Sequence, residues 1–205
     1  MERYTTDKSA IVLKADGNPE GKGHNALMRD WQRSEPQGAV AKPRSRILAE
    51  FFTSMLVLSA AFKFRPVAGA PHYLYWINGE WSLSLIAPDE WSQERREAFA
   101  GTCSLQRDMT WTITPSELFS NDTPVAAAMS RFYAGFAAML DTDHVLEEIL
   151  PFYAGRVPYY QRLYASALSR SVRTSMTLGQ QTSEPGRKWH SLLPQHTASL
   201  LEHRG

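Results

Sequence analysis

The sequence is short of three things: cysteine, long apolar runs and net charge. Cys103 is the only cysteine, so no internal disulfide can form and the fold must be held by its core. A reducing compartment is the natural setting for such a chain, and the cytoplasm is the expected one. The longest apolar run, residues 47–62, is broken by Glu50, Thr53, Ser54 and Ser59, whereas a membrane-spanning helix takes about 20 mostly apolar residues. The start, MERYTTDKSAIVLKADG, lacks an apolar stretch behind a basic end, so no export is expected.

Motifs that carry known chemistry are scarce as well. The stretch IVLKADGNPEGKGH has glycines and a lysine, but only three residues separate Gly17 from Gly21, and Gly23 stands where a phosphate-binding loop needs a hydroxyl. No serine sits in a G-x-S-x-G elbow. Asp141, Asp143, His144, Glu147 and Glu148 cluster, yet acids in a first helical turn answer the helix dipole, and no second cluster supplies further ligands. His190, His196 and His203 lack ligand spacing. No metal and no cofactor are expected.

The formal net charge is +1, but its distribution is uneven: residues 47–153 carry six Lys/Arg against thirteen Asp/Glu, and residues 154–205 carry seven against two. A chain of 205 residues suffices for one domain with a real core. Gly17, Pro19, Gly21, Gly23, Pro36, Gly38 and Pro43 punctuate residues 1–42, which read as a flexible arm carrying one tryptophan, Trp31. Residues 43–176 read as a single α+β domain, and 177–205 as a flexible tail with short apolar patches at 191–193 and 198–201.

Within the domain, residues 44–64 predict a first long helix. Leu48, Phe51, Phe52, Met55, Leu56, Ser59 and Phe62 form one apolar stripe. Asn78-Gly79 predicts a two-residue type I′ hairpin, because both central residues need positive φ. That turn pairs Trp76 with Trp81 and Leu74 with Leu83. It puts those four with Leu85 on a core face, and Tyr73, Tyr75, Glu80, Ser82 and Ser84 on the other. Pro88 opens a short connection anchored by Trp91. Residues 101–106 predict a third strand, with Cys103 inward; Arg107-Asp108 turns the chain and residues 109–112 extend it. His72 takes a core-facing register. Thr114-Pro115-Ser116-Glu117 reads as a capping box. Three further helices follow, opened by Thr123-Pro124, Asp143 and Pro158, the last with Arg162, Arg170 and Arg173 outward.

The blocks YLYW, INGE and WSLSLIAPDEW, followed by FAGTCSLQRDMTWT, resemble in their order the family catalogued as domain of unknown function 2452. The resemblance spans roughly residues 47–115 and is specific from Tyr73 to Trp111. It implies that the aromatic and acidic blocks form one compact module, and it brings no activity, cofactor or catalytic residue.

The expected fold is α+β: a small antiparallel meander of about three strands packed on several helices, with disordered termini. The expected function is a non-enzymatic binding or scaffold module with a protein partner. Its candidate surface is Tyr73, Tyr75, Glu80, Glu90, Trp91, Asp108 and Trp111. One alternative is a small enzyme with an acid/base site near Asp108, Glu80 and Glu90. The other is weak nucleic-acid binding through the basic last helix and tail, which ranks below a protein partner.

Overall fold

The computed structural model describes residues 24–120, 122–151 and 156–201. The glycine-rich stretch 11–23 lies outside them. The chain divides into two units, 1–35 and 36–205. In the first unit, helix α1 (His24–Arg33) forms where no persistent helix is expected. The breakers lie on either side of it, at Gly23 and Pro36, and leave HNALMRDWQR uninterrupted. Ser34 Oγ donates to Trp31 O at 2.8 Å and closes the last turn.

In the second unit, helix α2 (Arg44–Ser59) is central. Residues 47–54 and 56–58 are all buried, so the helix is enclosed on every side rather than along one stripe. A helix enclosed this way must carry small or paired polar groups inside, and Thr53, Ser54 and Glu50 are those groups. It ends at Ser59, five residues before the expected end, because tertiary partners take over its last carbonyls. Gln161 Nε2 donates to Leu58 O and Ala60 O at 3.2 and 2.6 Å. Ala61 then runs beside the sheet, donating to Trp81 O at 2.8 Å and accepting from Leu83 N at 3.1 Å.

The sheet has four antiparallel strands: β1 (Pro71–Ile77), β2 (Glu80–Ser84), β3 (Phe99–Leu105) and β4 (Trp111–Pro115), in the order β2-β1-β3-β4. The β1–β2 register is the one the Asn-Gly turn dictates, with Trp76 opposite Trp81 and Leu74 opposite Leu83. Leu85 departs from expectation: β2 stops at Ser84 and Leu85 leaves the sheet 57 % exposed. The fourth strand, foreseen only as an extension, pairs Thr112 with Ser104 and Thr114 with Thr102. That pairing occupies Thr114, and Ser116 Oγ donates to Phe99 O at 2.6 Å, so the expected capping box is replaced by a 3-10 turn over Glu117–Ser120.

The inner face of the sheet (His72, Leu74, Trp81, Leu83, Cys103, Leu105, Trp111 and Ile113) is buried, and α2 packs against β4 and β2. His72 stacks on Phe64 at 5.8 Å and meets the edge of Trp111 at 5.2 Å. Burial lowers its pKa, against smaller raising effects from backbone hydrogen bonds at Ala70 and Cys103. Over one end of the outer face lies the 85–98 connection, a 3-10 turn at Pro88–Glu90 followed by helix α3 (Gln93–Arg96).

On the far side of α2, Phe51 and Phe52 pack edge-on against Phe136 of α4 (Pro124–Leu140). Thr123 caps that helix by accepting from Ala126 N at 3.1 Å. The short α5 (Leu146–Ile149) leads to α6 (Tyr159–Leu178), which lies along α2. Beyond α6 the stretch expected to be a tail is folded through residue 201. Helix α7 (Gly186–His190) buries Trp189, 1 % exposed, and packs on α4. Gly186 is required there, because a Cβ would sit 2.5 Å from Leu140 O. Helix α8 (Ala198–Leu201) buries Leu200 and Leu201 against α2 and β4. Among the described residues no helix is long and apolar enough to cross a membrane.

Candidate functional site

The β3–β4 turn is built by a left-handed residue and a carboxylate. Gln106 N donates to Thr110 O at 2.8 Å, Met109 N donates to Gln106 O at 3.0 Å, and Met109 takes a φ of 66°. Asp108 Oδ1 accepts from Thr110 N at 3.1 Å and from Thr110 Oγ1 at 2.6 Å, the local bonding that suits aspartate to turns. Its other oxygen, Oδ2, accepts from Lys42 Nζ at 2.5 Å. The same ammonium donates to Glu50 Oε2 at 2.6 Å, and Glu50 Oε1 accepts from Arg46 Nε at 2.9 Å. Lys42 is delivered by the segment before α2, which is pinned at both ends. Gln37 N donates to Arg107 O at 2.9 Å, and Lys42 O accepts from Gln181 Nε2 at 2.8 Å.

Three of these four charges are buried, with side-chain exposures of 6 % for Lys42 and 10 % for Glu50 and Asp108. Buried charges persist when they are paired and hydrogen-bonded, and here each has a partner. Burial alone would raise the Asp108 pKa. Hydrogen bonds from Lys42 and Thr110, together with the lysine charge, outweigh it and hold the carboxyl below the usual range. Asp108 therefore carries no proton to donate near neutrality. Lys42, bonded to two carboxylates, is poorly placed to act as a nucleophile.

The network forms the floor of an open cleft of about 1170 Å³. Its walls are the 37–42 segment, the start of α2, the β3–β4 turn and β4, with Leu201 of α8 at one side. Arg46 and Arg107 stand exposed at its rim, and Thr112 and Thr114 line the wall along β4.

The seven residues expected to share one surface are dispersed. Trp111 is fully buried, because its place in β4 alternates it toward α2, and its backbone N donates to Ser54 Oγ at 2.8 Å. Tyr75 is 1 % exposed; its hydroxyl donates to Ile86 O at 2.9 Å and its ring meets Phe99 at 5.5 Å. A register shift between Leu74 and Tyr75, together with the 85–98 connection, closes over it, and burial pushes its phenol up to about 12. Neither residue is available as a binding surface. Tyr73 is half-buried and Trp91 half-buried beneath Arg95, whose guanidinium lies 4.0 Å over the ring. Glu90 is exposed, with Oε1 accepting from Ala87 N at 3.2 Å. Glu80 lies at the Asn-Gly end of β2, on the opposite edge and at the opposite end of the sheet from Asp108. Three strand spacings and the length of a strand put them on the order of 20 Å apart. Asp108 and Glu80 are therefore too far apart to share an acid/base site.

Other sequence candidates resolve locally. His144 Nδ1 pairs with Glu148 Oε2 at 3.0 Å, while Glu147 turns to accept from Ser183 N at 2.9 Å. Cys103 is buried, which raises its thiol pKa. Helix α6 is buried over most of its surface; Arg162 and Arg170 are half-buried and Arg173 is exposed, so they form no open basic stripe. Lys42, Arg46 and Glu50 had no place among the candidates. The available signal was Glu50, a charge inside an otherwise apolar helical run, which demands a partner.

The helix, sheet and cleft elements before α4 coincide with a sequence match. Residues 39–131 match the family described as Protein of unknown function (DUF2452). The resemblance read from Tyr73 to Trp111 thus extends on both sides, and it takes in Lys42, Arg46 and Glu50 as well as Asp108. No curated protein and no solved structure matches the chain. The matched segment contributes nearly all of the cleft; Leu201 and Gln37–Gly38 come from outside it.

Proposed function

We propose that this chain is a non-enzymatic binding module whose working surface is the cleft beside the β3–β4 turn, and that its ligand is a segment of a partner protein. The observation that carries this reading is the rigid floor of the cleft. Four charges from the pre-α2 segment, α2 and the turn are bonded to one another in series, under an opening of about 1170 Å³. A mutually satisfied network supports a shaped receptor better than an acid/base catalyst, which needs a group free to exchange its proton. The lone, buried Cys103 suits a cytoplasmic setting.

The same cysteine makes a clean test. Thr114→Cys introduces an accessible thiol into the cleft of a protein whose own thiol is buried, and Glu80→Cys places one at the opposite corner of the sheet. Each variant is labelled with a thiol-reactive photo-crosslinker and irradiated in cell extract. The cleft label is expected to capture a discrete protein that the corner label does not. Identical captures from both positions, or none from the cleft, would overturn the assignment of the working surface.

A further inference from the structure

The charges lining the cleft are unequally committed. Lys42, Arg46 and Arg107 line it against Glu50 and Asp108. Both carboxylates are held internally, Asp108 by Lys42 and Glu50 by Lys42 and Arg46. Arg46, with 45 % side-chain exposure, uses Nε for Glu50, which leaves the rest of its guanidinium facing the opening. Arg107 is exposed and makes no side-chain hydrogen bond or ion pair with the described residues. Lys42 and Arg46 balance Glu50 and Asp108 in charge, so the surplus positive charge at the rim is that of Arg107, beside the unspent donors of Arg46.

We infer that the cleft binds an acidic, extended peptide segment, whose carboxylates pair with Arg107 and with the free edge of Arg46. This inference rests on the cleft being the working surface. A guanidinium presents parallel N–H donors that match the two oxygens of a carboxylate. The volume of about 1170 Å³ exceeds the range up to about 1000 Å³ usual for small-molecule pockets. The exposed hydroxyl of Thr114 on β4 offers a polar partner to the backbone of an extended chain, whereas that of Thr112 is engaged by Gln106 and Ser104. Nucleic acid fits worse. Among the described residues the cleft is lined by no Trp, Tyr or Phe on which a base could stack.

The probe is a fluorescein-labelled peptide of alternating glutamate and valine, followed by fluorescence anisotropy on the full chain. Its control is the same peptide with glutamine in place of glutamate. The acidic peptide is expected to bind at least about tenfold more tightly than the control, and more weakly as salt is added. Arg107→Gln should lose about fivefold and Arg107→Lys should recover part of it. Arg107 is exposed and unpaired, so the variant is expected to melt as wild type does. Equal affinity for the two peptides, no binding of the acidic one, indifference to Arg107→Gln, or displacement of the peptide by a single-stranded oligonucleotide would each overturn the inference. If the Thr114→Cys label still captures its discrete protein in that case, the cleft remains the working surface and only the acidic character of its ligand is wrong.

Discussion

At one end of the sheet Asn78 and Gly79 turn the chain with φ values of 52° and 80°; at the other, Met109 turns it with a φ of 66°. The first turn needs only its own two residues, which are the types that tolerate left-handed backbone. The second puts a larger residue in that conformation and buries its side chain, 6 % exposed. Its neighbour Asp108 is bonded to a lysine 66 positions earlier in the chain. One hairpin is written locally and ends in solvent. The other is completed by distant residues and ends in the cleft. Backbone strain that persists does so because its surroundings over-determine it, and the β3–β4 turn meets that description while the β1–β2 turn does not.

Removing the distant partner should separate the two ends most. Lys42→Met leaves Glu50 and Asp108 buried without their shared cation, an arrangement that costs about 3–5 kcal/mol. The shift is read from urea denaturation midpoints, and adding Glu50→Gln with Asp108→Asn should return part of it. A loss under about 1 kcal/mol would show that the turn does not depend on Lys42.

Acid should act on the same end next. His72 is the second residue of β1, beside that end and opposite Cys103, and its pKa is lowered from 6.5 by burial. The unfolded chain takes up a proton there that the fold resists. Stability is therefore whole above about pH 6.5 and falls as pH drops below it, by at most about 1.4 kcal/mol per pH unit. Asp108, lowered from 3.8, adds its own loss only once pH falls below about 4. Denaturation curves at about pH 7 and about pH 5 should differ in wild type and converge in His72→Gln. A slope unchanged by that substitution would assign the acid sensitivity elsewhere.

The locally written turn should respond least. Gly79→Ala meets nothing within 4 Å of the new Cβ, so only the left-handed backbone penalty of about 1 kcal/mol applies. The binding of the acidic peptide at the other end should stay the same. A larger loss, or weakened binding, would mean that the two ends are coupled through the sheet.

The same contrast explains what could be read in advance. The β1–β2 register followed from Asn78-Gly79 alone, and the start of α4 from Thr123-Pro124, because each is decided within a few residues. The all-round burial of α2 was not visible, because its stripe of Leu48, Phe51 and Phe52 is also what a one-sided helix would show. The cleft was hidden for a stronger reason. Asp108 could be singled out as a turn carboxylate, but Lys42 sits among Val40, Ala41 and Pro43 with nothing local to mark it. Tyr75 and Trp111 were assigned by aromatic character, and both were then buried by elements that no local pattern places over them. Trp189, amid glycine and proline, looked like tail, and its role became apparent only with α4 to receive it.

The two hydrogen bonds Ala61 makes along β2 bear on the behaviour of the protein at high concentration. A second molecule approaching that side of the sheet finds Trp81 O and Leu83 N already engaged. At the opposite margin, Trp111 N is spent on Ser54, and Pro115 has no N–H to offer. The β2 border is thus blunted against strand-to-strand growth into filaments, and at the β4 border two of the outward-facing positions have no donor left to offer.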